Sequence, residues 1–264
     1  MEQAFNYIYG PVYSWRLGMS LGIDPVASDR KMCNYNCIYC QLGPSAQMIS
    51  DRRVFVPTGA LLEEISRLSA DLQIDHITFS GRGEPTLARN LGDMIDGIRA
   101  VRSEPIAVIT NGGLMADPQV RRDLAGADRV LAKLDAPSAD VWNTIDRPVD
   151  RKGFEDMVDG MAHFSREYEG IFALQMMFVE ENKDAAEEMA DVARRIAPDE
   201  IELNTPLRPC GVKPLDRGQM EKIKRAFTGI DGVVMIYDRE RKACRPMDED
   251  ATVRRHGRYH QSEG

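Results

Sequence analysis

Residues 21–40 read Leu21-Gly22-Ile23-Asp24-Pro25-Val26-Ala27-Ser28-Asp29-Arg30-Lys31-Met32-Cys33-Asn34-Tyr35-Asn36-Cys37-Ile38-Tyr39-Cys40. The apolar run at 21–25 reads as a strand. Three cysteines follow it at C-x3-C-x2-C spacing, in a loop extending to about Phe55. Working outward, further strand-like runs lie at 76–80, 106–110, 129–134, 172–179 and 200–204. Helical periodicity fills the gaps at 59–72, 91–101, 118–125, 154–168, 183–196 and 217–227. In the first helix Leu61, Leu62, Ile65, Leu68 and Leu72 recur on one face. Thr58 after Pro57 supplies a capping hydroxyl there. Asp117-Pro118 supplies a cap and a first-turn proline for another helix.

Alternation of this kind implies a parallel sheet, either open and doubly wound or an incomplete barrel. Ligands of such folds gather at the C-terminal ends of the strands, where the cysteine loop emerges. A length of 264 residues suits one large domain. A short strand near 233–237 and a polar tail from about Arg239 follow it.

Hydrophobic residues make up 43% and charged residues 29%, the balance of a folded globular chain. Thirty-four Lys and Arg against 42 Asp and Glu leave a net charge of -8, which disfavours nucleic acid as main partner. No apolar run is long enough for a membrane span, and residues 1–15 lack the pattern of a signal peptide. A cytoplasmic location is the expectation.

Five cysteines, three of them within eight residues, point to metal or redox chemistry rather than a disulfide framework. Four-iron clusters normally take four thiolates, so a three-cysteine loop leaves one iron open to a chelating ligand. The amino and carboxylate groups of a methionine suit that iron, and reduction of a sulfonium held there releases a carbon radical, chemistry that no side chain supplies. The competing reading is a structural zinc loop with a fourth ligand from Cys210 or Cys244, although zinc sites usually pair their cysteines.

The motif, with aromatic Tyr39 before its last cysteine, resembles that of the radical S-adenosylmethionine (SAM) superfamily. The match extends over about residues 7–230. Tyr9-Gly-Pro-Val-Tyr-Ser-Trp-Arg-Leu-Gly18, the Cys33–Cys40 stretch and Asn204-Thr-Pro-Leu-Arg-Pro209 are similar to an Fe–S oxidoreductase group related to the tRNA wyosine-synthesis enzymes. The resemblance implies an α/β fold, a partial (β/α)6 TIM-type barrel over 1–230 with a C-terminal strand and polar tail at 231–264. It implies a [4Fe-4S] cluster on Cys33, Cys37 and Cys40, with SAM as cosubstrate. It places the Tyr39 backbone at the adenine, and Gly83 and Glu84 of Ser80-Gly-Arg-Gly-Glu-Pro-Thr86 at the SAM amino group. Arg82 replaces the first glycine of a strict GGE.

Further candidates stand at the strand ends. Asn111 lies in Thr110-Asn-Gly-Gly113, a run that equally suits a plain turn. Lys133 and Asp135 share a strand face and suit SAM contact or a rim ion pair. Arg147-Pro148 matches related sequences and suits substrate or carboxylate recognition. Gln175 and Met177 suit the barrel interior or plain strand packing, and Asn204 and Thr205 line the same cavity. Cys210 is the candidate catalytic hydrogen donor or adduct site, weighed against an inert buried thiol. Cys244 neighbours Arg241, Lys242 and Arg245. Gly257 between His256 and His260 argues against a helical metal pair. The tail around them reads as solvated or as a flap over the barrel mouth. His76 and His163 read as structural. The wyosine enzymes carry extra N-terminal cysteines, which this chain lacks before Cys33.

The expected function is reductive SAM cleavage to a 5′-deoxyadenosyl radical that abstracts hydrogen from a peptide, a tRNA or a small metabolite. A flavodoxin or ferredoxin is the expected electron donor. The alternative is a non-catalytic Fe–S or zinc protein.

Overall fold

The computed structural model describes residues 5–44, 48–69, 71–238 and 244–256. Strands β1 (Ile8–Ser14) and β2 (Gly18–Ile23) form an antiparallel hairpin. From β2 onward every strand runs parallel to the next: β3 (His76–Phe79), β4 (Ile106–Thr110), β5 (Arg129–Lys133), β6 (Ile171–Met177), β7 (Glu200–Asn204) and β8 (Val233–Met235). The spatial order is the chain order, β1 to β8. Helices α1 (Thr58–Ser66), α2 (Leu91–Arg99), α3 (Pro118–Ala125), α4 (Ala139–Ile145), α5 (Phe154–Glu167), α6 (Ala186–Ile196) and α7 (Arg217–Ala226) connect the strands, and α8 (Glu249–His256) ends the described chain. This is a partial TIM-type barrel, its (β/α)6 body spanning β2 to α7.

Two cores follow from the strand alternation. Outward residues such as Leu21, Ile77, Val108 and Val130 pack with the helices in the main cluster. Inward residues Ala107, Leu131 and Ala173 form a small second cluster with Leu17. At the N-terminal end of the barrel Arg16 and Arg129 pair with Glu202 at 3.6 and 3.5 Å, and Arg129 also pairs with Glu200. These charges plug the floor, so the interior opens at the other end, where the cysteine loop lies.

Three differences from the sequence expectation have physical causes. Strand β1 carries Gly10-Pro11, which reads as a strand breaker. The ladder absorbs it as an irregularity between Tyr9 and Val12, with Gly10 at φ +95°. Thr58 begins α1 instead of capping it; its hydroxyl accepts from Asn90 Nδ2 at 2.9 Å. Residues 249–256 form a helix docked on the barrel, not a solvated tail. Gly257, His260, Arg241 and Lys242 lie outside the described residues. The Asp117 cap is present and accepts from Gln119 N at 2.8 Å. His76 binds Leu17 O at 2.8 Å and His163 lies 3.3 Å from Glu167, both structural contacts.

Tyr9 occupies the place a side chain at Gly22 would take: a Cβ built there falls 2.1 Å from the Tyr9 ring. Gly22→Ala is expected to lower stability by about 1–3 kcal/mol through overpacking. Gly59→Ala, with nothing within 4 Å of its Cβ, is expected to be neutral or stabilising by up to about 1 kcal/mol. Denaturant unfolding of the two variants checks the opposite signs.

Candidate cofactor site

The cysteine loop is held by main-chain hydrogen bonds to two other segments and to its own later residues. Met32 N donates to Arg82 O at 3.1 Å, and Glu84 N donates back to Met32 O at 2.9 Å. Ile49 N donates to Cys33 O at 3.1 Å. A strap after α4 runs beside the loop: Asn36 N donates to Asp146 O and Ile38 N to Ile145 O, each at 2.9 Å, and Val149 N donates to Asn34 O at 2.9 Å. Arg147 in this strap is exposed and sits at φ +48°. A Cβ on Gly83 would fall 1.6 Å from Met32 O, so this glycine is required by the close approach of two loops.

Around the thiols, Lys31 Nζ lies 3.1 Å from Cys40 Sγ. Tyr35 N lies 3.4 Å and Asn111 Nδ2 3.7 Å from Cys33 Sγ. Asn111 also donates to Asn34 Oδ1 at 2.7 Å. Burial, and then the charge of Glu84, push the Cys33 thiol up to about 12. Burial and then Asp146 push the Cys37 thiol up as well. Among the described residues no three His, Cys, Asp or Glu side chains converge as ligands of a single ion. The thiols are spread along one loop with N–H donors facing sulfur, which fits a cluster whose irons are ligated separately.

Glu84 is buried at 2% exposure. Its Oε1 accepts from Thr86 N at 3.0 Å, Thr86 Oγ1 at 2.7 Å and Thr110 Oγ1 at 2.6 Å. Its Oε2 accepts from Asn111 N at 2.7 Å, which leaves room for one more donor. Burial pushes the Glu84 carboxyl upward, opposed by these hydrogen bonds.

On β5, Lys133 Nζ lies 3.1 Å from Asp135 Oδ2 and 4.7 Å over the Tyr39 ring. Tyr39 donates its hydroxyl to Asp135 Oδ2 and lies 2.9 Å from Asp146 Oδ1. Asp135 Oδ1 accepts from Met177 N at 2.6 Å. Both Asp135 oxygens are therefore engaged by the protein, whereas Lys133 has donors to spare. Burial, then the neighbouring Asp135 charge, push the Asp146 carboxyl upward.

Asn204 lies at the end of β7, 6% exposed, its Oδ1 accepting from Thr205 N at 2.9 Å. Thr205 is fully buried and braces the loop through Phe178 O and Leu215 N, both at 2.9 Å. Gln175 points into the barrel between Lys133 and Glu202, 5% exposed, with no partner for its Nε2. The thiol of Cys210 lies 3.3 Å from Val212 O, in an apolar cluster with Tyr39, Ile145 and Val179. Cys244 lies 3.1 Å from Tyr13 N, beside the first residues of β2 and at the end of that strand opposite the cysteine loop.

The structure thus brings Cys33, Cys37, Cys40, Tyr39, Gly83, Glu84, Asn111, Lys133, Asp135 and Asn204 to one end of the barrel. It adds Lys31 and Asp146, which no motif marked, and Thr110, Gln41 and Arg208, which lie in or beside quoted motifs but were not singled out. Asp146 precedes the Arg147-Pro148 pair, so that motif was the one available pointer to it.

A radical SAM superfamily model matches residues 31–193. The chain belongs to the radical SAM superfamily. A UPF0026 protein of Synechocystis sp. is 39% identical over 218 residues, covering 82% of this chain and 80% of that protein. The chain is also 37% identical over 227 residues to a protein of Brachyspira hyodysenteriae named GTPase Obg, of which it spans only 33%. Among solved structures, TYW1 with a lysine-pyruvate adduct bound superposes with a TM-score of 0.63 at 17% identity, over 79% of this chain and 72% of that one. At that identity the likeness shows the shared fold. As a radical SAM enzyme, the protein uses a [4Fe-4S] cluster and SAM.

Glu84→Gln places an amide N–H among donors and is expected to cost about 1–3 kcal/mol by leaving buried groups unpaired. A chemical-melt comparison with Glu84→Asp, which keeps the acceptors, checks this. Ligation requires thiolates, and Cys33 and Cys37 sit above their ordinary range, so iron uptake releases protons. At limiting iron and sulfide, cluster loading is expected to rise from about pH 7 to about pH 8.5. Iron and sulfide content at each pH is the measurement.

Proposed function

We propose that the protein generates a 5′-deoxyadenosyl radical and uses it to abstract hydrogen from a small polar substrate held inside the barrel. The observation that carries the substrate class is Gln175. A buried amide N–H with no protein partner, worth about 1–3 kcal/mol when paired, offers a donor to an acceptor group of a ligand. The floor below it is plugged by ion pairs, so an acceptor must enter from the mouth. A bound cluster supplies an electron to SAM, whose cleavage yields the radical.

The chain's own residues would act as follows. Cys33, Cys37 and Cys40 ligate the cluster, and Lys31 and Asn111 donate toward their sulfurs. Glu84, through the lone pairs left on Oε2, takes the SAM ammonium. Lys133, a cation of this end of the barrel with donors to spare, takes a carboxylate or hydroxyl. Tyr39 lines the adenine side, and Asn204 faces the SAM ribose. Asp135 and Asp146 position Tyr39 and Lys133 without touching the ligand. Gly83 lets the two cofactor loops meet. Cys210 is the candidate catalytic residue, able to return a hydrogen atom to a substrate radical. Residues 1–230 form the catalytic body and 231–264 its extension. A flavodoxin or ferredoxin in the cytoplasm would reduce the cluster. None of the helices described is long and apolar enough to cross a membrane.

A second reading, a non-catalytic metal protein, needs a fourth thiolate. Cys210 packs with Tyr39, near enough to the loop to keep that reading in view. Anaerobic reconstitution, dithionite reduction and quantified 5′-deoxyadenosine decide between them. SAM-dependent product is expected from the wild type and none from Cys37→Ala. Cys210→Ser is expected to keep full iron content; loss of the cluster in that variant, with no product from the wild type, would favour the second reading.

A further inference from the structure

The sheet ends at β1 and β8, which do not pair, so the barrel has an open seam. The chain before α8 runs along the β1 edge of that seam. Met247 N donates to Gly10 O at 2.7 Å, and Asp248 bridges the same residue. Helix α8 then turns one face inward, with Ala251, Thr252 and Arg255 all buried. Thr252 Oγ1 accepts from Gly10 N at 3.0 Å.

The last two residues of α8 reach further. Arg255 Nε lies 3.1 Å from Asp24 Oδ2, and its Nη2 donates to Asn6 O. Asp24 follows β2 at the root of the cysteine loop. It is fully buried beneath the GRGEP turn, where a Cβ on Gly81 would fall 2.6 Å from its Cγ. His256 Nε2 lies 2.5 Å from Arg208 Nη2, and so accepts from it as a neutral imidazole. The other arm of Arg208 donates to Gln41 Oε1 at 2.5 Å, one residue past Cys40. The Tyr9 ring stands 6.4 Å from His256 and its hydroxyl lies 2.5 Å from Ser80 Oγ.

Two adjacent residues of one helix thus touch, directly or through one side chain, the start of the cysteine loop, the residue after its last cysteine, and the turn that carries Glu84. A buried ion pair is a poor source of stability, because desolvation offsets its attraction. What it does supply is a unique docking register. We propose that α8 is a docked cover that closes the seam of the barrel at its mouth. It is latched by Asp24–Arg255 and by Gln41–Arg208–His256, and the cofactor loops are shielded from solvent only while it is in place. The cover is a property of the folded chain and holds whatever the substrate.

The test uses two variants, the chain ending after Asp248 and the double variant Asp24→Asn/Arg255→Met, which leaves no unpaired buried charge. Arg254→Ala on the exposed face is the control. In apoprotein, alkylation of Cys33 and Cys37 by iodoacetamide is followed by peptide mass spectrometry. In reconstituted protein, bleaching of the cluster by dissolved oxygen is followed by absorbance. Both rates are expected to rise about tenfold or more in the two variants at unchanged secondary structure, and to stay at the wild-type value in the control. Wild-type rates in either folded variant would overturn the proposal. If both variants unfold, deuterium exchange of the wild type decides: amides of 251–256 exchanging as freely as an unstructured peptide would overturn it equally. The alkylation readout needs neither SAM nor cluster, so its failure is distinct from a failure to form 5′-deoxyadenosine.

Discussion

The whole site depends on satisfying the main chain of a long irregular loop. Between Ile23 and Thr58 the described residues form no regular helix or strand, yet Cys33, Asn34, Tyr35 and Tyr39 within this loop are buried. Buried N–H and C=O groups need partners, so the loop must borrow them from other segments. It does so residue by residue: Met32 from the GRGEP turn, and Asn34, Asn36 and Ile38 from the strap at 145–149, while Cys33 pairs with Ile49 further along the same loop. Each donor segment follows a different strand of the barrel. The loop geometry is therefore a product of the barrel's closure, and no local motif could hold it alone.

That dependence explains which parts were legible in the sequence. Strands at Ile106–Thr110 and Glu200–Asn204 and the helix at Pro118–Ala125 match the expected bounds, because buried parallel strands show as continuous apolar runs and their helices keep a strong period. Strand β1 was hidden by Gly10-Pro11. Helix α4 was missed because seven residues give too few turns to show a period. Helix α8 was read as solvated because its outer face is charged and its inner contacts are mostly polar, through Thr252 and Arg255. Side chains that act through tertiary contact, Asp146 and Lys31 among them, have no local pattern. The site residues that were legible are those placed at strand ends, where alternation and chain order already determine which end of the barrel they reach.

Placement at the site is not the same as availability to a ligand. By alternation alone Lys133 and Asp135 are equivalent candidates on one strand face. Their surroundings separate them, since Asp135 accepts from Met177, Tyr39 and Lys133 while the ammonium of Lys133 retains donors. Gly83 was read as a point of close ligand approach, but the group it admits is the carbonyl of Met32. Counting hydrogen-bond capacity left over after folding therefore redraws the motif: Glu84 Oε2, Lys133 and Gln175 face outward from a network in which Asp135, Asp146 and Thr205 are already spent.

The same count bears on how the cluster is assembled. The contacts that order the cysteine stretch are main-chain bonds, and the thiols take little part in them. Cys33 and Cys37 are neutral when free, since burial raises both above the usual thiol range. The partners of this loop's main chain are protein groups, unlike small zinc modules in which metal-binding energy is folding energy. Tyr35, Asn111 and Lys31 place N–H donors at the sulfurs of Cys33 and Cys40, an arrangement that favours their thiolate forms. Thiols of this kind need covering from solvent, and beside the strap at 145–149 the element positioned to complete that cover is helix α8.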